Sequence, residues 1–140
     1  MRTVLVFGTF DVVHPGHVSF LNQARRRGDR LIASIARDDF VAGFKGRKPV
    51  HTEEERLKRI LKTGLVDEAH LSDPIPGTYS LIRRCEPDVV CLGHDQDVLK
   101  RDLQTWLAEH EVSLEVETLK PYRPDLYKSS KITDKEPEGG

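Results

Sequence analysis

Short apolar runs alternate with segments of helical pattern along this chain, and that alternation constrains the fold more than any other feature. Alternating strands and helices predict an α/β domain built on a parallel sheet. The predicted strands are largely apolar, which is typical of strands that helices cover on both faces. We therefore expect a single doubly wound, Rossmann-like sheet of five parallel strands with helices on both faces. The predicted strands are 3–7, 30–36, 66–71, 88–92 and 113–118, and the predicted helices are 17–27, 52–62, 79–84 and 98–110.

The length and composition suit one globular domain. A chain of 140 residues can bury a sizeable core, and we expect one domain over residues 1–133 followed by a disordered polar tail, 134–140. Every apolar run is far shorter than the roughly 18 residues that a membrane span requires, and no secretory signal is expected. Cys85 and Cys91 provide no disulfide framework. The expected location is the cytoplasm, with neither a membrane nor a nucleic acid as partner.

Several boundaries carry local signals. Thr52 and Glu55 have the spacing of a capping box that opens a helix. Gly28 follows the first predicted helix and is expected to end it in the left-handed conformation. The stretch 43–49 contains two glycines and three basic residues, and we expect it to form a loop.

The segment 8–17, Gly-Thr-Phe-Asp-Val-Val-His-Pro-Gly-His, joins the first predicted strand to the first predicted helix. We call it the histidine turn. Free backbone N–H groups and the helix dipole attract anions at such a position. Because His14 and His17 are three residues apart, their rings can face the same side. The turn therefore suits a phosphate whose charge grows during a reaction.

Two other interpretations of the histidine turn are a surface loop with solvated histidines and a zinc site. Zinc needs a third and a fourth ligand, and it gives the first four residues of the turn no role. The phosphate interpretation is favoured, because the turn also has the required strand before it and helix after it.

Polar segments follow other predicted strands as well, and the carboxyl ends of parallel strands meet at one edge of a sheet. Lys45 and Lys48 follow the second strand, where they can clamp a phosphate or form an ordinary basic surface. Gly93 and Asp95 follow the fourth strand, where they can contact a base or ribose or form a plain polar turn. No Ser, Cys or Lys stands in an activation pattern beside a base, so no covalent nucleophile is expected.

The order of these motifs resembles that of the nucleotidyltransferase superfamily with the His-x-Gly-His signature. Its members include glycerol-3-phosphate cytidylyltransferases and archaeal FAD synthases. The histidine turn, the basic stretch 45–49 and the serine pair 129–130 carry the resemblance, which spans most of the predicted domain. It implies direct attack by a substrate phosphate on the α-phosphorus of a nucleotide. It also implies a divalent cation that bridges the phosphates, with no metal ligand assigned to the protein.

The resemblance further implies roles for individual residues. The implied catalytic residues are His14, His17 and Lys45. The implied nucleotide-binding residues are Thr9, Phe10, His14, His17, Gly93, Asp95, Arg123, Ser129 and Ser130. The implied substrate-binding residues are Asp11, Asp38, Lys48, Arg56, Tyr122 and Tyr127.

Some of these roles have structural alternatives. Arg56 can instead pair with Glu53 one helical turn away. The serine pair 129–130 can act as a simple helix cap. Tyr122 and Tyr127 can pack the final loop onto the sheet rather than border an acceptor pocket.

Details within the superfamily resemble the archaeal FAD synthases, which adenylylate FMN. They are Gly-His-Asp-Gln at 93–96, Lys-Gly-Arg-Lys-Pro at 45–49, and Leu-Lys-Pro-Tyr at 119–122 followed by Tyr-Lys-Ser-Ser-Lys-Ile at 127–132. Residues 123–130 keep the arginine and the paired hydroxyls of the cytidylyltransferase signature but not its middle. The expected reaction is that of ATP and FMN to FAD and pyrophosphate, catalysed by a homodimer. The alternatives are a cytidylyltransferase acting on a phosphorylated alcohol such as glycerol 3-phosphate, and a non-catalytic nucleotide-binding module.

Overall fold

The computed structural model describes residues 1–46, 48–75 and 77–122, apart from the side chains of Phe44 and Lys45. The described strands are β1 (Thr3–Gly8), β2 (Arg30–Ile35), β3 (Glu68–Leu71), β4 (Val89–Leu92) and β5 (Glu115–Thr118). The described helices are α1 (Pro15–Arg25), α2 (Asp38–Lys45), α3 (Glu53–Lys62), α4 (Ser80–Cys85) and α5 (Asp97–Glu109). All of them except α2 were predicted to within about two residues at each end.

The strands form one parallel sheet in the order β3-β2-β1-β4-β5. The chain runs outward from β1 to β3, and then crosses to the other side of β1 to form β4 and β5. Strand order therefore reverses between β1 and β4. In open α/β sheets the crevice at the carboxyl ends of two such strands is the place where ligands bind. The predicted fold class is confirmed.

Side chains of β1 alternate between two hydrophobic cores, one on each face of the sheet. Val4 and Val6 pack into the core that Leu21 of α1 completes. Leu5 packs into the opposite core, which Leu103 of α5 completes. Because helices cover both faces, the three central strands β1, β2 and β4 are largely apolar. The edge strands β3 and β5 carry more polar residues.

Helix α2 corrects the prediction of a loop over 43–49, because residues 43–45 form the end of this helix. Asp38 and Asp39 lie in its first turn, where carboxylates interact favourably with the helix dipole. Gly46 ends the helix in the left-handed conformation, and its N–H donates to the carbonyl of Ala42. Lys48 follows in an exposed position. The basic stretch therefore begins at a helix end.

Gly28 does not cap α1 in the left-handed conformation, so that prediction is wrong. The helix ends at Arg25, followed by Arg26 in the right-handed conformation. Gly28 is required for space, since a Cβ there would lie 2.6 Å from the carbonyl oxygen of Arg2. This close approach allows the backbone N–H of Asp29 to donate to the same carbonyl at 2.8 Å, where β2 starts beside β1.

The two strands at the edges of the sheet carry carboxylates that pair with nearby arginines. Glu68 of β3 pairs with Arg30 of the neighbouring strand. Glu117 of β5 pairs with Arg27 at 2.7 Å. Partly exposed pairs of this kind contribute little to stability, because water and salt screen them.

Candidate active site

His14 and His17 cap the first turn of α1 reciprocally. His14 is the N-cap residue, and its Nδ1 accepts a hydrogen bond from the backbone N–H of Gly16 at 3.1 Å. His17 is the third residue of the helix, and its Nδ1 accepts from the backbone N–H of His14 at 3.3 Å. A Ser/Thr–Glu pair ordinarily makes this capping box. Here imidazoles make it, and they thereby acquire fixed orientations.

The same hydrogen bonds decide which ring nitrogen of each histidine carries a proton. An Nδ1 that accepts from a backbone N–H must be unprotonated, so a neutral ring holds its hydrogen on Nε2. The rings of His14 and His17 stack with centroids 3.8 Å apart and planes inclined by 20°. The expected convergence of the two rings on one side is therefore present. Each ring can offer an Nε2–H as a donor.

Phe10 shapes the turn that leads to these histidines. Its φ of 48° is in the left-handed region, which costs a bulky residue about 1–3 kcal/mol. Its buried ring packs edge-on against the His17 ring, with centroids 5.3 Å apart. Gly8 makes this possible, because a Cβ at that position would lie 2.6 Å from the Phe10 ring. Glycine is thus required at position 8 because the ring of the strained Phe10 packs against it.

A shallow cleft opens beside the histidine turn, between the carboxyl ends of β1 and β4. Its lining residues are Phe7, Phe10, Gly16, Phe20, Gly93, His94, Asp95, Gln96, Lys120, Pro121 and Tyr122. Three residues predicted for nucleotide binding, Phe10, Gly93 and Asp95, are brought together here. Tyr122, predicted for the acceptor pocket, lines the same cleft. Their contacts with a ligand remain predictions.

Arg56 lies on the other side of the histidine turn and is completely buried. Its Nη1 donates to the carbonyl of Thr9 at 2.9 Å, and its Nε donates to the carbonyl of His51 at 3.1 Å. Its Nη2 donates to the Asp38 carboxylate at 2.7 Å. One guanidinium therefore connects the histidine turn, the start of α2 and the segment before α3. Direct contact of Arg56 with substrate remains a prediction.

The alternative pairing of Arg56 with Glu53 is wrong. The Glu53 carboxylate accepts from the backbone N–H of Asp38 at 2.7 Å and from Arg37 Nη1 at 3.5 Å. Arg37 Nε in turn donates to the carbonyl of Ser72 at 2.7 Å. Asp38, a predicted substrate ligand, is accordingly held through both its backbone and its side chain.

Asp11 binds the backbone that precedes α3. Its carboxylate accepts from the N–H groups of Val50 at 2.7 Å and His51 at 2.9 Å. Burial raises the pKa of the Asp11 carboxyl, but these hydrogen bonds outweigh burial and hold its pKa below the ordinary value. His51 Nδ1 also lies 2.9 Å from the Asp11 carbonyl oxygen. Asp11 thus connects two chain segments in this structure, and its predicted substrate contact is untested.

Two glutamines that sequence reasoning missed also hold the site. The Gln23 side chain donates to the carbonyl of Lys120 and accepts from its N–H, which fixes the segment after β5 to α1. The Gln96 side chain bonds to backbone groups at the ends of β1 and β4. Gln96 could have been noticed through its place in Gly-His-Asp-Gln. Gln23 gives no local signal, because its partner is 97 positions away.

Several predicted residues lie outside the described part of the chain. They are Arg123, Tyr127, Ser129 and Ser130, together with the side chain of Lys45 and the tail 134–140. Among the described residues, no three His, Cys, Asp or Glu side chains are grouped so that they could hold a metal ion. The described helices include none that is long and apolar enough to cross a membrane.

The sequence matches the family described as Cytidylyltransferase-like over residues 5–135. The chain belongs to the cytidylyltransferase-like family. Curated relatives from archaea carry the name FAD synthase. The protein of Pyrococcus horikoshii is 38% identical over 133 residues, which are 94% of this chain and 90% of that protein. The protein of Methanopyrus kandleri is 36% identical and covers 86% of this chain and 81% of that protein. The resemblance to His-x-Gly-His nucleotidyltransferases and to archaeal FAD synthases is confirmed.

Solved structures share the fold of this family member. The lipopolysaccharide core biosynthesis protein from Thermoplasma volcanium superposes with a TM-score of 0.79 at 29% identity. That match covers 87% of this chain and 98% of the other. A pantoate-beta-alanine ligase from Francisella tularensis gives a TM-score of 0.61 at 14% identity, covering 87% of this chain and 60% of the ligase. The second likeness concerns the fold alone.

Proposed function

We propose that this protein is an FMN adenylyltransferase, which converts ATP and FMN to FAD and pyrophosphate. The observation that carries the proposal is the similarity to FAD synthases over about nine tenths of both chains. The stacked histidines at the start of α1 are consistent with it, because they offer donors at a helix N-terminus where phosphates bind.

The proposed reaction is an in-line displacement. A phosphate oxygen of FMN forms a bond to the α-phosphorus of ATP, and the bond from that phosphorus to the bridging oxygen of the β-phosphate breaks. The Nε2–H groups of His14 and His17 donate to the α-phosphate oxygens, whose negative charge grows in the transition state. Lys45 is proposed to add positive charge from the end of α2. Arg123 and the serine pair 129–130 are proposed to hold the leaving pyrophosphate.

The proposed locations of the two substrates follow from the two sides of the histidine turn. The nucleoside of ATP is assigned to the cleft beside Gly93 and Asp95, which has aromatic walls. FMN is assigned to the opposite side, near Asp38 and Lys48. Tyr122 lines the cleft assigned to the nucleoside. Its proposed contact with FMN therefore requires FMN to reach the edge of that cleft. Thr9 and the histidines lie between the two sides.

A divalent cation is proposed to enter with the nucleotide. The donor set fits this route, because the described residues form no cluster of three metal-ligating side chains while a triphosphate supplies oxygen ligands of its own. When bound, the cation neutralises charge on the phosphates. We further propose a cytoplasmic location and a homodimeric assembly.

Pyrophosphate release tests the proposed function directly. The purified protein is incubated with ATP or CTP together with FMN or glycerol 3-phosphate, in the presence of Mg²⁺. Release from ATP and FMN, with FAD as the second product, is the expected result. Release from CTP and glycerol 3-phosphate alone would contradict the proposal and identify a cytidylyltransferase. Nucleotide binding without release in any combination would indicate a non-catalytic module.

A further inference from the structure

The cleft contains a side-chain bridge between β1 and β4. The register of these strands pairs residues as far as Val6 with Cys91. Beyond that point, the backbone N–H of Gly93 donates to Gln96 Oε1 at 2.8 Å. Gln96 Nε2 donates to the carbonyl of Phe7 at 3.0 Å. The Gln96 side-chain amide thus accepts from the Gly93 N–H after β4 and donates to the Phe7 carbonyl in β1. Gln96 and Phe7 are 89 positions apart in the sequence.

Gln96 also holds Gly93 through its backbone. The Gln96 N–H donates to the carbonyl of Gly93 at 3.1 Å, which closes a tight turn. A Cβ on Gly93 would lie 3.1 Å from Asp95 Oδ1, so the Asp95 side chain would have to shift, and 3.6 Å from Gln96 Oε1, which is an ordinary contact. Both backbone polar groups of Gly93 are therefore bonded to Gln96, and this turn forms one wall of the cleft.

We infer that Gln96 is a positioning residue for the nucleoside half of the substrate. The backbone pairing of β1 with β4 ends at Val6 and Cys91. Beyond that point the Gln96 side chain holds the ends of the two strands at a fixed distance. The inference rests on the proposed function, because it assigns the nucleoside to this cleft. The histidine turn is capped by its own histidines. Loss of Gln96 is therefore expected to weaken binding of the nucleoside while sparing binding of phosphate groups.

Ligand binding by matched variants tests this separation. Gln96→Leu removes both side-chain hydrogen bonds, and Gln104→Leu is the control because Gln104 is exposed on α5. The ligands are AMP, CMP and pyrophosphate, measured by calorimetry alongside thermal unfolding. Gln96→Leu is expected to weaken AMP binding about tenfold or more and pyrophosphate binding less than about twofold. The control is expected to match the wild type with every ligand.

Gln96→Glu adds a readout that a general loss of stability does not produce. An ionised carboxylate would place an oxygen against the Phe7 carbonyl, whereas a protonated carboxyl can donate to it and restore the bridge. The AMP affinity of Gln96→Glu, relative to wild type, should therefore rise as the pH falls from about 8 to about 4.5. Any pH effect on affinity that comes from AMP itself, or from Asp95, His94 and Lys120 in the same cleft, is shared by both proteins. It therefore cancels in the ratio of the two affinities. The Gln96→Leu ratio should stay flat.

Three outcomes would overturn the inference. They are AMP affinity within about twofold of wild type in Gln96→Leu, equal losses for AMP and pyrophosphate, and a Gln96→Glu ratio that does not change with pH. The proposed function fails separately. A wild-type protein that binds AMP but forms no FAD would contradict the adenylyltransferase reaction, and the Gln96 variants would still decide the positioning role. If CMP is the nucleotide bound, the same comparisons apply to CMP.

Discussion

At the level of single residues, the two histidines divide their ring nitrogens between two tasks. Each Nδ1 accepts a backbone N–H of the first turn, and each Nε2 is left to carry the proton. The cap therefore sets the tautomer and the orientation of the rings before any substrate arrives. Groups oriented in advance in this way are the ones that stabilise developing charge most effectively.

Two substitutions of His17 separate these tasks. In Asn the side-chain oxygen can replace Nδ1 in the cap, whereas in Gln the amide nitrogen can replace Nε2 as a donor. We expect His17→Asn to retain stability and lose about 10²–10³ in kcat, with little change in ATP affinity. His17→Gln should keep more activity and lose more stability. Steady-state kinetics and urea unfolding measure both effects, and near-normal kcat in His17→Asn would contradict the catalytic assignment.

Arg56 is expected to stabilise the fold more than it binds substrate. Arg56→Met leaves the Thr9 and His51 carbonyls without their donor and the Asp38 carboxylate without its ion pair. We expect the free energy of unfolding to fall by about 3 kcal/mol. The exposed Arg59→Met on the same helix should change it by less than about 0.5 kcal/mol. A large rise in KM with unchanged unfolding in urea would instead identify Arg56 as a direct ligand.

At the level of elements, Asp11 joins the histidine turn to the start of α3, and this junction should depend on pH. Hydrogen bonds lower the pKa of the folded carboxyl below 3.8, so the unfolded state binds the proton more tightly. The stabilisation is thus fully present above the unfolded pKa of 3.8. It is lost as the pH falls through the lower pKa of the folded carboxyl. Asp11→Asn should cost about 1–2 kcal/mol at neutral pH.

The pH dependence of unfolding measures that contribution. The difference between wild type and Asp11→Asn should shrink as the solution is acidified below about pH 4. Glu109→Gln, at an exposed position on α5, should show no comparable difference. A difference that stays constant with pH would show that the Asp11 charge contributes nothing to this junction.

Lys45 at the end of α2 and Lys48 after it are proposed to supply positive charge to the reacting phosphate. The double variant Lys45→Ala, Lys48→Ala should lower kcat about 10²-fold and raise the KM for ATP, because positive charge near the reacting phosphate is lost. The double variant Lys58→Ala, Lys62→Ala removes equal charge from exposed positions of α3 and should have little effect. Full activity in the first variant would show that this stretch is an ordinary basic surface.

Elements with strong local signals were predictable from the sequence, and those that depend on distant partners were not. The apolar run of β1 and the Thr52 capping box define their elements without outside help. Helix α2 has only eight residues and contains Gly43, so its pattern is weak. The position of Gly28 depends on the Arg2 carbonyl, which no local rule could indicate.

The same distinction applies to the site. The histidine turn could be predicted because its residues are consecutive and its chemistry is local. The bridge made by Gln96 could not, because its partner Phe7 is 89 positions away. The hydrogen bonds of Arg56 likewise come from three separate segments. Long-range polar contacts are set by the sheet topology, and they become visible only when the sheet is assembled.

At the level of the whole molecule, the two cysteines report on the integrity of the sheet. Cys91 is completely buried in β4, and burial raises the pKa of its thiol to about 12. Cys85 is half-buried, and burial raises its pKa as well. We expect iodoacetamide to modify Cys85 slowly in the native protein and Cys91 only after global unfolding. Mass spectrometry of Cys85→Ser checks this, and rapid labelling of that variant under native conditions would contradict a closed core.

The charged pairs on the two outer strands have a consequence for behaviour in concentrated solution. An outer strand presents unpaired backbone groups that can recruit a strand from another molecule, which is the first step of ordered aggregation. Glu68 and Glu117 place charges on those outer strands and pair with Arg30 and Arg27 of neighbouring segments. A strand added from another molecule would have to desolvate these charges. The pairs add little to folding energy, and we expect their charges to disfavour the addition of a further strand at either edge.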